Sequence, residues 1–306
     1  MRALALALAV ALTALGCARP APVAPPDPAP SPLAPPPSLP APLPLSPALP
    51  AQDNVDAAWK DLINKGTELS ADAHDNAQAE QIFLKALHEA EHFGASDIRV
   101  GATHNRLGMV YREEKKYQDA ENSFRKALAI FEDLYGADSL DVANINYNIG
   151  NILLVQGKAP AALSALKKSL DTYRRLFGDA SLKTADALCG VGDSLRLVKA
   201  WQEAEAPLHQ CAQIREQDGG VLSPDFGEAE NSLAFVYHRE GKYALSDSAF
   251  KMAEKIRERS KGITSPDLAD TLEGHAALLR EMGRDLEAGK DARVAESIRK
   301  LQNRVK

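Results

Sequence analysis

One interval recurs along most of this chain and limits what it can fold into. Five glycines are spaced 42 residues apart: Gly94, Gly136, Gly178, Gly220 and Gly262. Four serines keep the same spacing: Ser139, Ser181, Ser223 and Ser265. A fixed period of this length is typical of repeat proteins, in which each unit buries its apolar face only against its neighbours. We therefore predict a serial stack of similar units.

Two helices are predicted in each period. Each serine stands where its side-chain oxygen could accept a hydrogen bond from the amides of a helix N-terminus. Pro224 and Pro266 follow two of these serines, at the first helical position, where a missing N–H costs little. Each glycine stands where a helix would end. Between serine and glycine, apolar residues recur at helical spacing in two stripes, so the predicted fold class is all-α.

This pattern resembles the tetratricopeptide repeat, in the 42-residue form found in kinesin light chains. The best match runs through LGMVY at 107–111, KYQDAE at 116–121 and ALAI at 127–130. The resemblance covers residues 54–304 and implies a right-handed superhelical α-solenoid of about five to six helical hairpins. We expect an array over residues 54–306, with approximate repeats at 54–94, 97–136, 139–178, 181–220, 223–262 and 265–304.

The first seventeen residues predict an export signal. One arginine precedes an Ala/Leu-rich run from Ala3 to Leu15, which is too short to span a bilayer. The end of this segment, ALGC at 14–17, resembles the lipobox of bacterial lipoproteins, in which the cysteine carries diacylglycerol. That resemblance implies lipidation of Cys17 and, because Ala18 follows it, an outer-membrane anchor facing the periplasm. Ordinary cleavage would instead leave the chain periplasmic.

Residues 18–53 predict a linker. Fifteen of the 19 prolines in the chain lie between Pro20 and Pro50. Proline fixes φ and removes a backbone donor, so helix and sheet are disfavoured and extended polyproline II is favoured. We expect this segment to hold the folded array away from a membrane. A single later proline, Pro207, falls inside a predicted helix, where we expect a kink.

Charge and cysteine content narrow the partners. The net charge is −6 without any basic block, which argues against nucleic acid, and neither a cofactor nor a small-molecule substrate is expected. Three cysteines are too few for a disulfide framework. Cys189 and Cys211 fall on the two helices of one repeat. Cys211 stands where neighbouring repeats carry small residues, which favours a buried packing role, and a disulfide between the two stays open.

The resemblance also implies a binding surface. In tetratricopeptide arrays, the first helix of each pair lines a concave groove that binds extended peptides or partner helices. Asparagine suits such a groove because its carboxamide offers a donor and an acceptor to a peptide backbone. We therefore predict a non-catalytic protein-interaction scaffold in the bacterial cell envelope. By position, the groove would present Asn105, Arg112, Tyr147, Asn148, Asn151, Arg196, Asn231, Phe235, His238 and Arg280.

Acidic residues stand where three of these first helices begin: Asp186, Glu228 and Asp270. Chaperone-binding members of the family need lysine and arginine there to clamp a ligand's carboxylates, so that function is not expected. Acidic helix starts and basic helix ends have two interpretations, which the sequence leaves open. They could form a polarised groove that orients a ligand, or they could compensate the helix dipoles.

Two other functions stay open. The motif HEAEH at 88–92 matches the H-E-x-x-H pattern of zinc hydrolases, in which two histidines hold the metal and the glutamate is the general base. It would use His88, Glu89 and His92. The motif falls at the end of a second helix, and no further histidine follows at the metzincin spacing. The remaining alternative is a purely structural spacer.

Overall fold

The computed structural model describes residues 53–71 and 75–305. Twelve α-helices make up this part of the chain, and it contains no strand. The helices are α1 (Asp53–Ala71), α2 (Asn76–Glu91), α3 (Ile98–Glu113), α4 (Tyr117–Tyr135), α5 (Leu140–Val155), α6 (Ala159–Phe177), α7 (Leu182–Leu197), α8 (Trp201–Gly219), α9 (Pro224–Arg239), α10 (Tyr243–Lys261), α11 (Pro266–Glu281) and α12 (Asp285–Val305).

The helices form six consecutive antiparallel pairs that stack in series. The most extensive contacts are within a pair, and each second helix then packs on the first helix of the next pair. First helices also touch across pairs, α5 with α7, α7 with α9 and α9 with α11. Second helices make no contact of that extent within the described residues. The first helices therefore line the inner side of the α-solenoid, which confirms the predicted fold class.

The predicted helix ends are confirmed at the four serines and at four of the five glycines; α2 instead ends at Glu91, three residues before Gly94, with His92 as its C-cap. The side chain of Ser139 accepts a hydrogen bond from the amide of Val142, and the other three repeating serines cap their helices in the same way. Gly136, and its counterparts in the three following repeats, are the C-caps of the second helices. Gly136 has φ +78°, a left-handed conformation that glycine adopts without steric cost. Local chemistry alone therefore sets the period.

Close packing in the first four pairs depends on a glycine in the first helix. Gly108 faces Phe124, and Gly150 faces Leu166. A Cβ atom at either glycine would lie closer than 3.0 Å to the facing side chain. Phe124 and Leu166 are both fully buried, so neither can move aside into solvent. The backbone of one helix thus lies directly on a large side chain of the next.

Ion pairs at the turns join successive pairs of helices. The basic residue just before a second helix reaches a carboxylate on the second helix of the preceding pair, with N···O distances of 2.6 to 2.9 Å. These ion pairs are Lys116–Glu80, Lys158–Glu121, Lys242–Glu205 and Arg284–Asp247.

One junction has apolar residues in place of both members of this ion pair. At the junction between the third and fourth pairs, the basic position holds Ala200 and the acidic position holds Leu163. Both are partly buried and pack on the main core. Because both charges are missing together, neither partner is left as an unpaired charge near the core.

Pro207 lies inside α8, which runs without a break from Trp201 to Gly219. The ring therefore costs the helix one backbone hydrogen bond without ending it. The kink that the sequence predicts at this residue stays a prediction.

The glycine packing can be tested by one substitution at two sites. Gly150→Ala should destabilise the array by about 1–3 kcal/mol, because the new methyl group collides with Leu166 and outweighs the better helix propensity of alanine. Gly289→Ala is the matched control: Gly289 lies in α12 with nothing within 4 Å of an added Cβ, so it should gain up to about 1 kcal/mol. Urea denaturation followed by circular dichroism measures both. Shifts of equal sign would contradict the packing argument.

Candidate functional site

Five of the predicted groove residues lie together on α3 and α5. Asn105 and Arg112 are on α3, and Tyr147, Asn148 and Asn151 are on α5. All five are buried, with at most 6% of their surface exposed. The sequence placed these residues on the correct helices. It predicted that their side chains would be open to a ligand, whereas the structure buries them.

Several polar atoms of this group have no hydrogen-bond partner among the described residues. They are the side-chain oxygens of Asn105 and Asn148, the amide nitrogen of Asn151, and Nε and Nη1 of Arg112. Only the Nη2 atom of Arg112 is paired, at 3.0 Å from Glu113. A buried polar group without a partner costs about 1–3 kcal/mol. Such a concentration on two first helices marks this part of the array as the one whose buried polar groups the protein itself leaves unsatisfied.

The phenol of Tyr147 connects three first helices electrostatically. Burial raises the pKa of Tyr147, and the charge of Asp186 on α7 raises it further. A hydrogen bond with Asn151 and the charges of Arg215 and Arg112 act in the opposite direction. The phenol is therefore neutral at physiological pH. Charged groups of α3 and α7 thus act on a phenol of α5, as expected along a continuous binding surface.

The other five predicted groove residues lie on α7, α9 and α11, and most of them already have partners. The guanidinium of Arg196 lies 3.1 Å from Asp193 and 5.8 Å from the ring centroid of Phe235. Asn231 accepts a hydrogen bond from Thr271 at 3.0 Å.

The last two of these five differ in exposure. His238 lies 3.1 Å from Glu281, and burial lowers its pKa although Glu281 opposes the shift. Arg280 is exposed, and of the ten predicted residues it is the one most open to solvent. The polar groups on α7, α9 and α11 thus have more hydrogen-bond and ion-pair partners within the protein than those on α3 and α5.

The acidic residues at the helix starts are paired within their own hairpins. Asp186 pairs with Arg215, and the same pairing recurs 42 residues later between Glu228 and Arg257 and then between Asp270 and Arg299. In the hairpin before them, the corresponding contact is a hydrogen bond that the Tyr173 hydroxyl donates to Asn144 at 2.7 Å. These carboxylates therefore join the two helices of a hairpin, and the groove is not lined by a row of unpaired acids.

The H-E-x-x-H motif does not assemble a metal site. His88 and His92 are both exposed, and His92 lies just beyond the end of α2, as its C-cap. Its Nδ1 atom is 2.9 Å from the backbone oxygen of His88. Within residues 53–71 and 75–305, one group of three side chains has the spacing for a metal ion, and it does not include these residues. Zinc-dependent hydrolysis has no geometric support at this position.

The tetratricopeptide repeat family model matches residues 68–133, 99–154 and 141–217. This chain belongs to the tetratricopeptide repeat family. Tetratricopeptide arrays are scaffolds that bind protein or peptide partners. No curated protein sequence is a match for the chain.

Solved structures share the architecture. RapI in its apo form gives a TM-score of 0.60 at 14% identity, over 80% of this chain and 99% of the other. PilW, a type IV pilus biogenesis factor, gives 0.56 at 19% identity, over 79% and 91%. A kinesin light chain of Podosopora anserina with nearly identical TPR-like repeats gives 0.55 at 14% identity, over 69% and 98%. At these identities, the likeness establishes the fold alone.

Cys189 and Cys211 of this tetratricopeptide protein form a disulfide that joins α7 to α8. Cys211 is fully buried, as predicted for its small-residue position, whereas Cys189 is half-buried on the inner side. The pairing that the sequence left open is therefore present. Disulfides persist mainly in oxidising compartments, so this bond is informative about where the protein works.

The N-terminal predictions concern a different part of the tetratricopeptide protein. The signal segment, Cys17 and the proline-rich linker lie outside the described residues and stay predictions. In the part of the chain that the structure describes, none of the helices combines the length and apolar character needed to cross a bilayer.

Sequence reasoning missed one polar cluster in the tetratricopeptide array. Glu254, His275 and Asp291 bring three potential metal-ligating atoms within 4.8 Å of one another. The signal was available, because His275 stands where the four preceding repeats carry only leucine, isoleucine or valine. The predicted site rested on residues that recur with the period, whereas His275 is a departure from it.

Reduction should identify the disulfide. Dithiothreitol should lower the melting temperature of the wild-type array, because opening the bond frees a loop of sequence separation 22, a constraint worth up to about 3 kcal/mol. The Cys189→Ala/Cys211→Ala variant should melt at the same temperature with and without reductant. Peptide mapping without reductant should recover the two cysteine peptides joined. Two unmodified thiols at these positions in the oxidised protein would contradict the assignment.

Proposed function

We propose that this protein is a non-catalytic scaffold that binds an extended peptide or a partner helix on the inner side of the array. The observation that carries the proposal is the set of buried, unpaired polar atoms on α3 and α5, centred on Asn148, Asn151 and Arg112. A peptide backbone presents alternating N–H donors and C=O acceptors, which are the partners these side chains lack. The hydrogen bonds formed with a ligand would offset the cost of leaving these groups unpaired.

The expected site is at the N-terminal half of the array. There, asparagine and arginine groups on neighbouring first helices are unpaired, whereas on α7, α9 and α11 most polar groups have partners within the protein. Among the unpaired atoms, Asn151 and Arg112 offer donors and Asn105 and Asn148 offer acceptors, so a ligand that crosses α3 and α5 would use both. Carboxamides that recognise the backbone give affinity without strict sequence specificity, and Arg112 would favour a carbonyl-rich or acidic segment.

The proposed location is an oxidising compartment of the cell envelope, with the protein anchored through lipid on Cys17. The Cys189–Cys211 disulfide supports export independently of the signal-like N-terminus. The likeness to PilW concerns the fold, and it makes a role in assembling an envelope machine a reasonable form of the scaffold function. A protein without the anchor would be periplasmic.

A purely structural spacer is the competing function. A spacer has no use for unpaired buried polar groups, because apolar residues at the same positions would pack at lower cost. The third and fourth pairs each contain one such solution: Leu154 holds the position of Arg112, and Gly190 holds that of Asn148. The polar residues of α3 and α5 are therefore better explained by recognition.

Peptide selection tests the groove. Peptides selected from a random library on the purified array should bind the Asn148→Ala/Asn151→Ala variant about tenfold more weakly than the wild type, since two hydrogen bonds of about 0.5–1.5 kcal/mol each are lost. Fluorescence anisotropy measures both affinities. The matched control is Lys167→Ala/Lys168→Ala, a pair of exposed residues on α6, which should leave the affinity unchanged. Peptides that bind both variants as tightly as wild type would exclude this groove as their site.

Membrane fractionation tests the anchor. The wild-type protein should sediment with membranes and incorporate radiolabelled palmitate in a bacterial host, because the predicted acceptor is Cys17. The Cys17→Ser variant should lose the label and become soluble in the periplasm or remain uncleaved. A wild-type protein without label would refute lipidation while leaving the scaffold function intact.

A further inference from the structure

The last two helical pairs contain a charged cluster that the rest of the array lacks. His275 lies on α11, Glu254 and Asp247 lie on α10, and Asp291 lies on α12. The imidazole is buried, with 4% of its side chain exposed, and each carboxylate is largely buried, with 18% to 21% exposed. The cluster therefore joins three helices at a position close to the core.

Alignment with the other repeats indicates that this cluster places charged side chains at positions that are otherwise used for packing. His275 corresponds to Leu107, Ile149, Val191 and Leu233 in the four preceding pairs. The position of Glu254 holds alanine or leucine in the three pairs before its own and Glu296 in the last pair, and the position of Asp291 holds alanine, proline or serine in the four pairs before its own. Three apolar or small positions have thus become charged together, in one place and facing one another. Helix stability does not require such a change, since the other pairs pack without it.

The two nitrogens of the ring have different surroundings. Nε2 lies 3.0 Å from Asp247, and that carboxylate is also held by Arg284 at 2.8 Å and Lys251 at 2.7 Å. Nδ1 faces two carboxylates, Glu254 at 2.7 Å and Asp291 at 3.0 Å. Asp247 is therefore neutralised and fixed by cations, whereas Glu254 and Asp291 share a single ring nitrogen as their ion-pair partner within the described residues.

This arrangement has the form of a metal ligand with its supporting shell. In protein metal sites, a histidine commonly binds the ion through one ring nitrogen and donates the other N–H to a carboxylate, which fixes the orientation of the ring. Here Asp247 occupies the supporting position, and Nδ1, Glu254 and Asp291 provide the donor atoms. Three protein ligands leave room for water in the remaining coordination positions.

Charge balance also favours an ion. One proton on the ring can neutralise only one of the two carboxylates at Nδ1. A divalent ion on a neutral ring neutralises both, which matters because unpaired buried carboxylates are costly. We propose that Glu254, His275 and Asp291 form a binding site for a divalent first-row transition metal ion, with Zn²⁺ as its probe. Imidazole and carboxylate together suit such ions better than Ca²⁺ or Mg²⁺, which prefer oxygen ligands alone.

Without metal, the site holds a proton. Burial by itself lowers the pKa of His275, but hydrogen bonds to Asp291, Glu254 and Asp247 outweigh it and raise the pKa to about 10. The ring is then an imidazolium that satisfies the three carboxylates in part. The apo protein is therefore expected to fold, and metal replaces a proton at Nδ1.

The metal would hold the end of the array together. Most of the apolar core of α11 and α12 lies in two small clusters, around Leu272 and Leu279, that are separate from the main core of the earlier pairs, which Leu278 of α11 joins. The proposed ligands come from α10, α11 and α12, so one ion would tie this terminal pair to the rest. The proposal concerns a structural site and is independent of peptide binding on α3 and α5.

The test is zinc binding by the full chain after treatment with a chelator. Equilibrium dialysis against Zn²⁺ with elemental analysis should give one ion per chain for the wild type, with a raised melting temperature. Glu254→Gln and Asp291→Asn should each weaken binding at least tenfold and remove the thermal shift. Asp247→Asn should weaken it about 10–100-fold, as expected for a group that orients a ligand.

Two further variants make the outcome decisive. His275→Leu restores the residue type found at Leu107 and Leu233 and should abolish zinc binding. Circular dichroism checks that this variant folds. If it does not fold, the near-isosteric Glu254→Gln and Asp291→Asn variants provide the test. His88→Gln/His92→Gln removes the exposed histidine pair and should bind zinc like the wild type. The proposal is overturned if the wild type binds no more zinc than His275→Leu, or if binding disappears with His88 and His92.

Discussion

The structure depends on one packing constraint: each hairpin buries its apolar face only against its own partner helix and the adjacent hairpins. A glycine in the first helix lets its backbone lie on a large residue of the second, as Gly150 lies on Leu166. This close approach leaves little room for side chains, and the same position holds glycine or alanine in every pair, with Ala234 and Ala276 in the last two. Serial packing of this kind gives a long surface from short-range contacts.

That constraint divides the polar residues into two classes. Those that link helices repeat with the period, such as the Asp186–Arg215 pair and its counterparts at 42-residue spacing. Those that break the period carry the candidate functions. Asn148 and Asn151 leave polar atoms unpaired on the inner side, and His275 brings three carboxylates into a packing position. In a repeat protein, departure from the period is thus more informative about function than agreement with it.

Periodicity could predict most of the fold. The capping serines, the terminating glycines and the two apolar stripes act through contacts a few residues away, so the sequence shows them directly. The groove was predictable only in part, since helix assignment follows from the repeat but burial does not. Asn105 and Arg112 are on the expected helix and yet are nearly inaccessible, with 6% and 5% of their surface exposed.

The sequence by itself therefore determined the all-helical fold, the 42-residue unit and the residues that face inward. It also carried the signal-like N-terminus and the proline-rich segment, which local composition is enough to recognise. Only the tertiary structure decided that Cys189 pairs with Cys211, that Asp186 is neutralised by Arg215, and that His275 lies among carboxylates from two other helices. These contacts join residues 16 to 29 positions apart, and their formation depends on the relative rotation of packed helices, which no local pattern specifies.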